Sequence, residues 1–384
     1  MRWLLIGAVI VAAALVFGRK SDGGVRKPTD PNEVLERVAS SSSSGRELKA
    51  LEQAARDNPR DVARATAASR KAIELARREA DPRYWGRAQA ALQPWWSQAR
   101  PPDEVLVLRA TIRQAQHDFD GARADLELLD DPQAKLTLAT VELVTGRYDA
   151  ARRACATLEG KADALVVAVC TAQVDSLTGR AAQARKTLEA QLAAAGPSHP
   201  QRAWALSVLG ELCERAGDDA AAEAAYREAL KLEPDDGYTL TALADLLLAL
   251  NRPADVEPLL SARFADDNAL LRLAIAETKK LGRPASYAQM LRWRYEASAE
   301  RGDTVHLREQ ARFQLEVEKD AAKALELSLK NWAVQKEPAD ARVLLEAALA
   351  AQKPDAAREA AKHVLDAGAE EPRLVALAKK VSPP

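Results

Sequence analysis

The chain has 384 residues, 47% of them hydrophobic but only 4% aromatic, a balance that favours an Ala/Leu core of closely packed helices over a sheet. Its 55 Lys and Arg against 56 Asp and Glu leave a formal net charge of −1, so no bulk field draws it onto DNA or RNA, and nucleic-acid binding is not expected. Cys155, Cys170 and Cys213 form no CxxC pair and are odd in number, which argues against a zinc site and against a disulfide framework. Small buried hydrophobes are the simplest reading of the three, with one Cys155–Cys170 bridge between consecutive helices left open for an oxidising compartment.

In chain order, residues 3–18 are uncharged and apolar, preceded by Arg2 and followed by Arg19 and Lys20, the pattern of a membrane-targeting segment. As a helix the run spans roughly 24 Å at about 1.5 Å per residue, short of the ~30 Å hydrocarbon core but within reach by bilayer thinning and snorkelling. Two outcomes stay open: an uncleaved anchor, favoured by the basic pair directly after the run, or a signal peptide removed after Gly18. Orientation is pulled both ways. Arg19, Lys20, Arg26 and Lys27 outweigh Arg2 and would keep the bulk of the chain in the cytoplasm, whereas short amino-terminal segments with a basic second residue more often initiate export. The expectation is a membrane-anchored chain with its bulk in the periplasm; the alternatives are the cytoplasmic face of the inner membrane and release into the periplasm after cleavage. The expected division is an anchor or signal over 1–20, a flexible tether with a short helix over 21–45, a helical array over 46–366 and a capping helix and tail over 367–384.

Residues 31–39 show a short helical pattern that the serine run 40–44 and Gly45 break, and 47–58, ending at Pro59, read as the second helix of a degenerate first repeat. A long Ala/Arg helix follows over 61–79. Asp81-Pro82 opens the next, where Tyr84, Trp85, Leu92, Trp95 and Trp96 gather in a cluster expected to cap the array. From there one turn recurs: His117-Asp118-Phe119, Gly146-Arg147-Tyr148, Gly179-Arg180-Ala181, Gly217-Asp218-Asp219, Asn251-Arg252-Pro253 and Gly282-Arg283-Pro284, at successive spacings of 29, 33, 38, 34 and 31. A small residue follows each turn at matching offset, namely Ala122, Ala151, Ala184, Ala222 and Val256, with Tyr287 one place out. The insertion 196–200 accounts for the long spacing. Beyond Glu300 the register blurs, although Gly302 and Asp303 mark a turn and Pro338 and Pro354 punctuate two further helix pairs. Leu344, Leu345, Ala348, Ala357, Ala361 and Val364 restore a recognisable unit, and 372–381 form a last amphipathic helix.

Within residues 203–236, Leu206-x2-Leu209-Gly210-x2-Cys213, Ala222-x3-Tyr226, Ala229 and Pro234 closely resemble a tetratricopeptide repeat (TPR) unit, with Leu206 and Cys213 in place of the consensus Trp and Tyr. The runs 302–309 and 331–338 resemble an uncharacterised bacterial family of membrane-targeted TPR proteins, a likeness that carries no known activity. The resemblance implies an all-α, right-handed solenoid of helical hairpins whose first helices line a concave groove for a protein or peptide. Register from Gly210 and Gly217 assigns the projecting positions: Trp204, Ser207, Glu211 and Glu214; then Tyr238, Thr241, Asp245 and Leu248; with Val166, Val169 and Gln173 before them and Arg272 and Lys279 after. Two aromatics beside three carboxylates suit a peptide with apolar anchors and some positive charge, and both rings read equally well as array packing. A clamp for chaperone tails would need Lys, Asn and Arg where Ser207, Glu211, Val169 and Gln173 stand, so that reading falls.

No GxxxxGK[ST] loop, GxGxxG turn, GxSxG elbow or HExxH pair occurs, which leaves nucleotide, hydride, acyl-transfer and zincin chemistry without its local geometry. His117, His199, His306 and His363 are far apart in sequence and read as surface or turn residues. Asp218-Asp219 and Asp235-Asp236 read as helix caps. The expectation is a non-catalytic scaffold of the bacterial cell envelope with no cofactor, metal or small-molecule substrate, touching the membrane through residues 3–18. The alternatives are a soluble secreted or periplasmic adaptor and a metal-delivery or enzymatic protein built on a solenoid.

Overall fold

The computed structural model describes residues 43–382 except Ala80, Arg301, Asp303 and Thr304; the apolar run 3–18, the tether and the short pattern at 31–39 lie outside the described residues. Among the described residues there are twenty α-helices and no strand. They are α1 Ser43–Asp57, α2 Val62–Glu79, α3 Arg83–Ala91, α4 Asp103–Ala115, α5 Phe119–Glu127, α6 Pro132–Val144 and α7 Tyr148–Ala156. There follow α8 Ala164–Asp175, α9 Ala181–Ala195, α10 Arg202–Arg215, α11 Asp219–Leu232, α12 Gly237–Ala249, α13 Val256–Leu260 and α14 Asp267–Leu281. The last are α15 Ser286–Glu300, α16 Leu307–Arg312, α17 Ala321–Trp332, α18 Pro338–Ala350, α19 Arg358–Asp366 and α20 Pro372–Val381. Consecutive helices pack as hairpins into an all-α solenoid. Ser43, Ser44 and Gly45, read from the sequence as a break, instead form the first turn of α1.

Each hairpin depends on one backbone conformation. His117, Gly146, Gly179, Gly217, Asn251 and Gly282 all take positive φ, between 57° and 76°, the left-handed conformation that ends a helix and reverses the chain. The amide of the next residue then reaches back to a carbonyl five residues before it: Asp118 to Arg113, Arg147 to Glu142, Arg180 to Asp175, Asp218 to Cys213 and Arg252 to Leu247. Asp118 and Asp218 also cap the following helix by accepting from Gly121 and Ala221. The small residues Ala122, Ala151, Ala184, Ala222 and Val256 are buried where the paired helices cross. Where the sequence register blurs, the same device continues at Lys319 and Gln352, also at positive φ, with Ala324 and Ala357 fully buried at the matching offset. Neither Lys nor Gln signals a left-handed residue, which is why these two turns escape a reading by residue type.

Gly210 shows why the unit tolerates no side chain at the helix crossing. A Cβ there would lie 2.5 Å from Cε1 of Tyr226, a ring that is itself 1% exposed. At the amino-terminal end, Trp95 is buried with Leu48, Ile73, Leu92 and Ile112, while Tyr84, Trp85 and Trp96 pack around them, so the aromatic cluster caps the core. Arg109, 3% exposed, ties it in place: its guanidinium donates to the carbonyls of Trp95, Trp96 and Gln98 at 2.7–3.0 Å and pairs with Asp125 at 2.6 Å.

Two features depart from the sequence reading. Cys155 on α7 and Cys170 on α8 form a disulfide with Cα atoms 5.6 Å apart, so only Cys213 is a free, buried thiol; the two helices run side by side, which the odd cysteine count obscures. The array is also not an open arc. Its carboxy-terminal repeats return to the middle of the chain: the Lys336 amide donates to the Val144 carbonyl at 2.8 Å, and the Glu370 carboxylate accepts from the Ala181 amide at 2.7 Å. Arg373 on α20 pairs with Asp219 at 2.8 Å.

Substituting Gly210→Ala is expected to destabilise the protein by about 1–2 kcal/mol, overpacking against Tyr226 outweighing the gain in helix propensity. Gly86→Ala in α3, where an added Cβ meets nothing within 4 Å, should instead stabilise by about 0.5–1 kcal/mol. Urea denaturation of both variants checks the pair; the same sign for both would refute the packing account.

Candidate interaction surface

The first helices α8, α10, α12 and α14 set side by side the positions that sequence register places in the groove, and most of those residues are already engaged with one another. Ser207 is 5% exposed, its hydroxyl bonded to the Ala203 carbonyl and to the Thr239 hydroxyl, so it has nothing to offer a partner. Trp204 is half-buried against the Leu165, Ala205 and Leu206 cluster, and Val169 and Leu248 are buried. Gln173 is half-buried. Thr241 bonds back to the Gly237 carbonyl at 2.9 Å, and Lys279 to the Leu248 carbonyl at 3.3 Å. Glu211 pairs with Arg215 at 2.8 Å and accepts from the Tyr238 hydroxyl. The Tyr238 ring nevertheless remains 62% exposed.

Asp245 is locked between two arginines, at 2.6 Å from Arg272 and 2.9 Å from Arg312. Burial pushes its carboxyl up, but the two guanidiniums reverse this and hold it well below the ordinary aspartate range. The pair with Arg312 crosses from α12 to α16, tying the first wall of the interior to a second that the sequence did not reveal. There Arg308 bridges Glu309, Glu337 and Asp340 at 3.0, 2.8 and 3.3 Å, and Arg312 also pairs with Glu316 at 2.9 Å. Burial raises the Glu309 carboxyl while Arg308 and Arg272 pull it down to about 2. These residues fall where the turn pattern passes from Gly to Lys and Gln, so no register assigned them to the groove, although Arg308, Glu309 and Glu337 lie within the runs 302–309 and 331–338.

The interior also carries carboxylates without a matching cation. Burial raises Glu214 to about 7, against the pull of Arg342 and with the repulsion of Asp245 adding to it, and its one hydrogen bond is from Tyr226 at 3.2 Å. Burial likewise raises Glu346, opposed by Arg342 and reinforced by Glu316. Beyond them a small cleft is bounded by Tyr148, Arg215, Lys336, Glu337, His363 and Glu371. Among the described residues no group of three or more His, Cys, Asp or Glu is placed to hold a metal, and no helix is long and apolar enough to cross a membrane.

Residues 163–235 match the tetratricopeptide repeat family model. Among solved structures, the chain is similar to one in the APC/C hetero-tetramer Cut9-Hcn1, with 13% identity and a TM-score of 0.50 over 89% of this chain and 67% of that one. It is also similar to a tetratricopeptide repeat protein from Parabacteroides merdae, at 13% identity and a TM-score of 0.34 over 73% and 98% of the two chains. Yeast Tom70 matches at 12% identity and a TM-score of 0.33 over 88% and 96%. No curated protein matches the sequence.

Because folding raises the Glu214 carboxyl, the folded state holds a proton that the unfolded chain has lost between about pH 4.5 and 7, and stability falls as pH rises through that window. Glu214→Gln keeps an acceptor for Tyr226 and removes the titration. It is expected to stabilise the protein at pH 8 by about 1–2 kcal/mol, allowing for partial solvation of the side chain, and to have little effect at pH 5. Denaturation at the two pH values decides; equal effects at both would show that the carboxyl is not held protonated.

Proposed function

We propose that this chain, a tetratricopeptide-repeat solenoid, is a non-catalytic scaffold of the bacterial cell envelope that holds a protein or peptide partner against its concave interior. The observation that carries the reading is Tyr238. It is 62% exposed on a surface whose neighbouring side chains are already paired, with its hydroxyl on Glu211. A rigid aromatic with its hydroxyl fixed and its face open is the type of group that anchors interfaces. The half-matched carboxyls of Glu214 and Glu346 favour a partner with an apolar side chain flanked by Lys or Arg, whose charge would restore their ionised form.

The envelope assignment rests on two supports. Residues 3–18 have the composition of a membrane-targeting segment, and the Cys155–Cys170 disulfide belongs to proteins that fold outside the reducing cytoplasm. The bulk of the chain is accordingly assigned to the periplasmic side, held by the amino-terminal segment.

Tyr238→Ala should weaken partner capture roughly 10- to 100-fold, as loss of an interface anchor does, with the helical dichroism and melting temperature unchanged. Cross-linking in intact cells followed by affinity purification of wild type and variant measures this, and the same proteins recovered at the same yield from both would sink the interior as the binding face. For the compartment, protein taken from its host and alkylated after denaturation without reductant should react at one of its three cysteines, and at all three after reduction. Three reactive thiols before reduction would place the chain in the cytoplasm.

A further inference from the structure

The interhelix turns at His117, Gly146, Gly179 and Gly217 form one edge of the array, and the returning carboxy-terminal segment meets that edge at the three glycines. His117 stacks on Phe119, with ring centroids 5.4 Å apart, and lies within electrostatic reach of His306, Arg308, Glu309 and Glu337. At Gly146 an added Cβ would lie 2.8 Å from Cε1 of His363 and 3.1 Å from Cβ of Lys336. Gly179 lies against the backbone of Gly368, and Gly217 beneath Pro372. Glycine serves twice here: it takes the left-handed turn and leaves room for the opposing segment.

The hydrogen bonds and ion pairs across this seam are the Lys336–Val144 backbone bond, the Glu370–Ala181 and Arg373–Asp219 contacts and the 3.2 Å contact between His363 Nε2 and the Tyr148 hydroxyl, beside a small cleft lined by Tyr148 and Leu177 on one side and Val364 and Leu374 on the other. The apolar cluster of the carboxy-terminal repeats, from Leu315 to Val381, takes in no residue of the opposing edge. Parting the two sides uncovers that cleft but divides neither hydrophobic cluster.

We propose that the seam is a latch that opens on acidification through His117 and His363 and so admits a partner to the concave interior, a role that rests on the interior being the binding face. Both histidines sit half-buried in the closed arrangement. Burial, and then His306, lower the affinity of His117 for a proton against the opposing pull of Glu309 and Glu337. Burial and then Lys336 do the same to His363 against Glu359 and Asp366, while the His363 ring is held between Tyr148 and Trp332. The Tyr148 hydroxyl, pushed up to about 12 by burial, stays protonated and neutralises nothing. The remaining charged groups on the adjoining pocket are Arg215, Glu337, Glu370 and Glu371. Once the edges separate, His117 escapes the repulsion of His306 and His363 loses its cover from Tyr148, so both rings move back toward the ordinary imidazole value of about 6.5 and opening takes up protons. The closed state is then fully stable above that pH and loses stability as pH falls through it, by up to about tenfold per proton per pH unit, or a hundredfold for the two together. Glu214, protonated up to about 7, titrates with the opposite sign, and Glu214→Gln removes its contribution.

Hydrogen exchange on the full chain in mild detergent at pH 7.5 and 5.5, corrected for intrinsic exchange rates, tests the latch. The segments carrying the Lys336 and Ala181 amides should lose at least tenfold in protection at pH 5.5, while α10 and α12 keep theirs. A His117→Asn, His363→Gln double variant, uncharged at both pH values, should stay protected, and Gly146→Val should expose the same segments already at pH 7.5. Unchanged protection in the wild type, equal loss in the double variant, or loss that extends to α10 and α12 would each overturn the proposal. Partner capture separates the two readings: capture indifferent to pH with an opening seam removes the gating role and leaves the scaffold, whereas no capture at either pH removes the scaffold and leaves the opening seam to stand on exchange alone.

Discussion

The left-handed residue that closes each first helix is the constraint from which the rest of the architecture follows. Because its φ is positive, the chain reverses within two residues, the following amide satisfies a carbonyl that the helix end would leave open, and the second helix is aimed back along the first. The small residue five positions later then decides how closely the two helices approach. Ala122, Ala151, Ala222 and Ala357 are all fully buried at that crossing, and a larger side chain would change the angle between hairpins and so the path of the whole coil.

The same turns carry a second load. Lying along one edge, the glycine turns among them present backbone without side chains, and the carboxy-terminal repeats settle against it at Gly146 and Gly179. A residue chosen for its local conformation thereby becomes the contact that converts an arc into a closed coil. The interior inherits its character from successive layers, since Arg312 at the end of α16 reaches Asp245 on α12 where Phe313 and Val317 pack into the same core as Leu243 and Leu271. Buried ion pairs of this kind contribute little net stability against an apolar alternative, but removing one partner strands a charge, so they fix which walls meet more than they hold the fold together.

The polar network also narrows where a partner can bind. Ser207, Asp245 and Arg272 satisfy each other or their neighbours, so the groove offers few free groups, and the open Tyr238 ring with its half-matched carboxyls stands out against that background. Specificity in such a surface comes from what remains unpaired.

Sequence alone was enough to establish the helical hairpins, their period, the turn residues from His117 to Gly282, the capping aspartates and the position of the final helix, because each of these is a local property: φ at one residue, side-chain size at a crossing, a hydrogen bond over three to five positions. It also placed Glu211, Tyr238 and Asp245 on facing helices, since repeat register converts local spacing into neighbourhood. Tertiary structure decided the Cys155–Cys170 bridge, the second wall of Arg308, Arg312 and Asp340, and the seam that brings His363 to Tyr148. Those contacts join residues far apart in the chain, and their formation depends on the small angle between hairpins summed over many repeats, a quantity that no single repeat encodes in its residue types.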